Sequence, residues 1–149
     1  MSAARHTPDA QRFRQAYRGR FQGILRWPDL DRLWARLRGD PGPWYIYAMG
    51  EPPPERPAPA GALERFIDEI DPWLRREHGE DYCGIVYVDD PERPAFVKIF
   101  DPHRLGVVCG YSDDPPPPGW ILSRLPPVPL DRITAHGRRR WWQRPGRPG

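Results

Sequence analysis

Apolar residues recur at helical spacing in three stretches of this chain and gather into short runs in four others. In the first stretch Thr7-Pro8-Asp9 offers an N-cap, a residue suited to the first helical position and a charge that complements the helix dipole. Phe13, Tyr17, Phe21 and Ile24 then fall near one face. The second begins near Pro28. Leu30, Leu33, Trp34 and Leu37 form an i, i+3, i+4, i+7 stripe, and Gly39 stops it. In the third, Leu63, Phe66, Ile67 and Ile70 repeat the stripe. Asp71-Pro72 interrupts it, because proline lacks an N–H and crowds the preceding turn. This predicts two short helices, the second capped by Asp71 and ended by Gly79.

The four runs read as strands. Trp44–Met49 is rich in aromatic and β-branched residues. Cys83–Asp89 and Ala95–Asp101 are the strongest signals, and Asp90-Pro91-Glu92-Arg93 between them suits a type I turn, which predicts an antiparallel hairpin. Alternation places Ile85 with Tyr87 on one face and Val86 with Val88 on the other. Trp120–Leu125 is the last strand. Glu51–Pro59 and Pro115–Pro118 are stiff proline-rich connectors. The expected fold is therefore α+β: a single small domain with a three- to four-stranded, mostly antiparallel sheet and helices packed on one face. Residues 1–9 form an N-terminal extension, 10–126 the compact domain and 127–149 a Pro/Arg/Trp-rich C-terminal tail.

Composition changes this picture little. A chain of 149 residues fits one domain. Its 38% hydrophobic content is low, and 22 prolines account for part of the deficit. Residues 1–9 have no apolar signal-peptide core, and no apolar run approaches the ~20 residues of a membrane helix. With two cysteines a disulfide scaffold is not expected, so both thiols are read as free and the chain as cytoplasmic. Lys98 is the single lysine against 22 arginines, a bias that, with the small size, points to a bacterial chain.

Charge changes it more. Residues 1–40 carry nine Arg against four acids, and residues 41–114 carry six Arg and one Lys against fifteen acids. Residues 115–149 carry seven Arg against one acid. An acidic centre (−8) thus lies between basic arms of +5 and +6. Such arms fold back on the centre or are offered to an acidic partner.

The candidate chemistry is sparse. Arg138, Arg139, Arg140, Trp141, Trp142 and Arg144 combine phosphate-neutralising cations with stacking rings. They equally suit an acidic protein surface, their own centre included. Cys109 and His103 lie in the loop after the hairpin, close enough for a thiolate–imidazole pair. A buried, inert thiol is the plainer account. Arg104 sits in the same loop as a candidate binding cation. Lys98, mid-strand between Phe96 and Phe100, is either a desolvated anion-binding amine or a side chain snorkelling over aromatic rings. The acids of residues 68–81 alternate with arginines as on a solvated helix face. Phosphate-loop, dinucleotide, serine-elbow and zinc spacings are missing, so no metal or cofactor is expected. The expected function is that of a non-catalytic accessory or adaptor protein binding another protein through the 102–119 loop and the tail. Nucleic-acid binding by the tail is the first alternative, and a small Cys109/His103 enzyme the second.

Overall fold

A computed structural model describes residues 8–104 and 117–130. The helices are α1 (Pro8–Tyr17), α2 (Trp27–Arg38) and α3 (Ala62–Glu77), and residues 102–104 are also helical. The strands are β1 (Gln22–Ile24), β2 (Tyr45–Ala48), β3 (Val86–Val88), β4 (Phe96–Ile99) and β5 (Trp120–Ser123). They form one antiparallel sheet in the order β1-β3-β4-β5-β2. The expected hairpin is β3–β4, closed by a bond from the Arg93 amide to the Asp90 carbonyl.

The sheet has five strands rather than three or four. The additional one is β1, a three-residue edge strand. Its sequence, Gln-Gly-Ile, carries too little apolar character to read as a strand, and Phe21 and Ile24 happen to continue the spacing of α1. Its position depends on Gly23. A side chain there would meet the Tyr87 ring at 3.0 Å, so glycine lets β1 pair closely with β3.

Helices also cover both faces of the sheet, not one. On the first face Ile46, Ala48, Val86, Val88, Val97, Ile99 and Leu122 pack against the buried stripes of α2 and α3. On the second, Tyr47, Phe96 and Ile121 pack against Phe13 of α1, with Leu125, Val128 and Leu130 alongside. The strands are apolar on both sides, and a double-sided apolar sheet has to be covered twice. Ile85 departs from the expected alternation and joins Val86 and Val88 in the first cluster. It precedes the regular part of β3 and follows Gly84, whose φ of +68° breaks the pleat.

α3 runs unbroken through Pro72, where a break was expected. Pro72 and Asp68, whose carbonyl loses its partner, both lie on the exposed side of the helix, away from the core. On the other side Ala62, Phe66, Ile67, Ile70 and Leu74 are all buried. Their packing outweighs a proline cost of about 3 kcal/mol. Asp71 is not a cap. It lies inside the helix, accepts a hydrogen bond from the Trp34 indole at 2.9 Å and pairs with Arg75.

Candidate partner-binding surface

Of the residues singled out in the sequence, Cys109, Arg138, Arg139, Arg140, Trp141, Trp142 and Arg144 lie outside the described residues. Lys98, His103 and Arg104 lie within them. The fold keeps Lys98 and His103 apart: Lys98 serves the second face, whereas His103 meets α3 on the first.

Lys98 is half-buried on β4, opposite Tyr87 on β3 and Ile121 on β5. Its Nζ donates to the Tyr17 carbonyl at 2.7 Å, so it caps the last turn of α1. The same atom lies 4.2 Å from the Tyr17 ring centre and 4.0 Å from that of Phe21. Phe96 shares its face, as alternation predicts, and Phe100 packs edge-on at 5.5 Å against Tyr87, the cross-strand neighbour of Lys98, while also touching the edge of the first cluster. Burial pulls the Lys98 pKa down to about 8, and burial pushes those of Tyr17 and Tyr47 on the same face up. The unfolded chain therefore holds its lysine proton above pH ~8 when the folded chain does not, and stability rises up to ~10.4. Above ~10 the unfolded tyrosines lose protons that the folded ones keep, and stability falls. The thermal midpoint is expected to rise from about pH 8 and peak near pH 10, and Lys98→Met should remove the rise and keep the fall. An unchanged rise in the variant would assign it to other groups.

His103 Nε2 lies 2.7 Å from Glu77, and its ring packs 5.8 Å from that of Trp73. The His103 amide donates to the Asp101 carboxylate, and the Arg104 amide to the Asp101 carbonyl. A carboxylate orienting an imidazole is half of a nucleophile-activating arrangement. Cys83, the thiol among the described residues, is buried and unbridged, and burial raises its pKa, which keeps it protonated and unreactive. Among the described residues no three His, Cys, Asp or Glu side chains gather as a metal would require.

A different surface emerges at the end of β1. Leu25 and Tyr82 are the two large apolar side chains that stand exposed among the described residues, at 64% and 56%. They are neighbours. The Cys83 amide donates to the Leu25 carbonyl at 2.7 Å, and the Gly84 amide to the Ile24 carbonyl at 2.8 Å. His78 stacks edge-on against Tyr82 at 5.8 Å and lies 6.2 Å from Trp27. Trp27 is fixed by its indole N–H, which donates to the Glu80 carbonyl, and by the Arg75 guanidinium 4.9 Å above its ring. The His78 Nε2 is buried and makes no hydrogen bond among the described residues. On the other side of Leu25 a groove of about 620 Å³ runs between β1, α2 and the Asp90–Glu92 turn. Its walls hold the ion pairs Arg32–Asp29 and Arg36–Glu92, and Leu33 and Ile24 lie among its lining. The result is an apolar, aromatic platform continuous with a groove along an edge strand.

The sequence concealed this platform because β1 was not legible. Once 22–24 is a strand with Ile24 inward, Leu25 has to turn outward. Comparison with protein-family models, curated proteins and solved structures finds no match for this chain. No helix among the described residues is long and apolar enough to cross a membrane.

Proposed function

We propose that this chain is a small non-catalytic accessory protein that binds another protein, with the Leu25–Tyr82 platform as part of its contact surface. The convergence of the two exposed apolar side chains beside Trp27 and the groove carries the reading. Scattered exposed apolar residues need no explanation, but a cluster rimmed by polar groups marks an interaction site. The loop after β4 and the basic aromatic tail belong to the same proposal on the grounds of their sequence.

The test is a pull-down with the whole chain against its own cell extract, compared with a Leu25→Asp/Tyr82→Asp variant. Both positions are exposed, so stability should stay within about 1 kcal/mol of the parent. Recovery of the dominant protein partner should fall about tenfold or more, since apolar anchors dominate interface energy. Equal recovery would remove the platform from the function. If the partner is nucleic acid, recovery should instead fall steeply with salt and ignore the double substitution.

The His103–Glu77 contact supports one second reading, a thiol enzyme with His103 as base and Cys109 as nucleophile. It requires a thiol that alkylates rapidly near neutral pH and slows on His103→Gln.

A further inference from the structure

The two edges of the sheet are finished differently. β2 is buried along all four of its residues. At the other edge, in β1, Gln22 is exposed and Gly23 half-buried. Ile85 and Asp89 turn their backbone groups to β4, so Val86 and Val88 turn theirs to Ile24 and Gln22 of β1. The Gly23 N–H and C=O therefore point away from β3, and Gly23 lines the groove beside α2. No hydrogen bond among the described residues engages them. An open edge of this kind, beside a groove with Ile24 and Leu33 in its lining, is a place where a further extended chain can be added.

Charge selects that chain. The groove's lining holds three arginines and three acids. Arg32 pairs with Asp29, Arg36 pairs with Glu92, and the Asp90 carboxylate accepts the Glu92 amide. That leaves Arg26 as the charged side chain of the lining without a partner among the described residues. Arg20, two residues before β1, is exposed and forms no ion pair among the described residues either. Residues 18–26 hold three arginines and no acid. Of the acids nearby, Asp89 is held by the Ala95 and Phe96 amides, and Glu80 and Asp81 beside Tyr82 do not line the groove.

Resting on the partner-binding reading above, we infer that the partner enters as an extended acidic segment of a protein, added antiparallel to β1 as one more strand of the sheet. Antiparallel addition matches every other pairing in the sheet and lets Gly23 exchange both its bonds with one residue of the segment. Arg20 and Arg26 are six residues apart, up to about 20 Å along an extended chain, which a seven-residue segment spans. The first and last residues of that segment oppose the two arginines and are acidic. Its third and fifth oppose Ile24 and Gln22, on the face that meets Leu33 of α2, and are apolar. Main-chain bonds give such a complex its affinity, and the groove and the arginines give its specificity. A nucleic acid would meet the arginines but leave the Gly23 groups and the apolar lining unused.

The test is fluorescence anisotropy of the whole chain with the labelled peptide Glu-Thr-Val-Thr-Val-Thr-Glu, in low salt of about 0.05 M. Saturable binding with a midpoint below about 1 mM is expected. It should weaken about tenfold or more with Arg20→Glu/Arg26→Glu, and equally when glutamine replaces both glutamates of the peptide. N-methylation of the central threonine removes the amide that donates to the Gly23 carbonyl, and should also weaken binding about tenfold. The two peptide changes leave the protein untouched, so a folding defect in the double variant cannot decide the result. No saturation by about 1 mM, or full binding by the N-methylated peptide, would overturn the inference. So would tighter binding of an oligothymidylate of about 20 nucleotides that is lost in Arg20→Glu/Arg26→Glu, which would make the arginines a nucleic-acid site. A dimer in sedimentation that the same variant splits would give the edge to a second copy and overturn it too. If the peptide fails while Leu25→Asp/Tyr82→Asp loses its partner, the partner-binding reading stands and only the partner's chemistry and mode of entry are wrong. If Leu25→Asp/Tyr82→Asp keeps its partner, that reading itself falls.

Discussion

Phe13→Ala is expected to destabilise the protein by about 3–5 kcal/mol, a large share of the ~5–15 kcal/mol available to a domain of this kind. Phe13 is fully buried between α1 and the second face of the sheet. Its ring centre lies 5.3 Å from that of Phe96 and 6.5 Å from that of Tyr47. Truncation removes the transfer energy of the ring and leaves a cavity that α1, pinned one turn further on by Lys98, is poorly placed to fill. Urea denaturation should show a lower midpoint with an unchanged slope. A loss below about 1 kcal/mol would mean that α1 is only laid against the sheet, and that the second face is not a true core. Because Lys98 holds the last turn of α1 and Phe13 the turn before it, Phe13→Ala and Lys98→Met should also combine non-additively.

The placement of α1 shows where sequence pattern sufficed and where it did not. α2 and the β3–β4 hairpin were legible because their patterns are local: a four-residue stripe ended by Gly39, and two apolar runs joined by Asp-Pro. β5 was legible as a strand, but not as the partner of both β4 and β2. The second core was hinted at by strands apolar on both sides, yet its cover came from a helix whose apolar residues run on past its end. Tyr17 ends α1, and Phe21 belongs to the connection that closes over Lys98. Periodicity cannot mark that end, because Phe21 and Ile24 keep the helical spacing by coincidence. The Leu25–Tyr82 platform was invisible for a related reason. Exposure is a property of tertiary pairing, and 57 residues separate its two members in the chain. Lys98 is the intermediate case. Its strand and its aromatic setting were readable, but the two rings that its ammonium faces, Tyr17 and Phe21, come from a distant segment.

Asp71→Ala is expected to cost about 3 kcal/mol, and Asp71→Asn about half of that. The Asp71 carboxylate is the hinge between α2 and α3. One oxygen accepts the indole N–H of Trp34 at 2.9 Å, and both accept from Arg75 Nε at 3.0 Å. Arg75 in turn reaches Asp31 of α2 at 2.6 Å and covers the Trp27 ring. Trp34 is 4% exposed, so its N–H loses its acceptor in a largely buried setting if the carboxylate goes. An orphaned buried donor costs about 1–3 kcal/mol, and the lost charge-assisted pair adds to it. Asparagine restores an acceptor for the indole but not the charge for Arg75, which is why the two substitutions should separate. Equal losses would show that the indole bond contributes nothing. A loss under about 0.5 kcal/mol for alanine would show that apolar packing alone holds α3 straight through Pro72. Near-ultraviolet circular dichroism of the folded variants gives an independent reading. If Trp34 is released, its aromatic signal should weaken in Asp71→Ala and persist in Asp71→Asn. A signal unchanged in both would place the hinge in the stripe of Phe66, Ile67 and Ile70 rather than in the carboxylate.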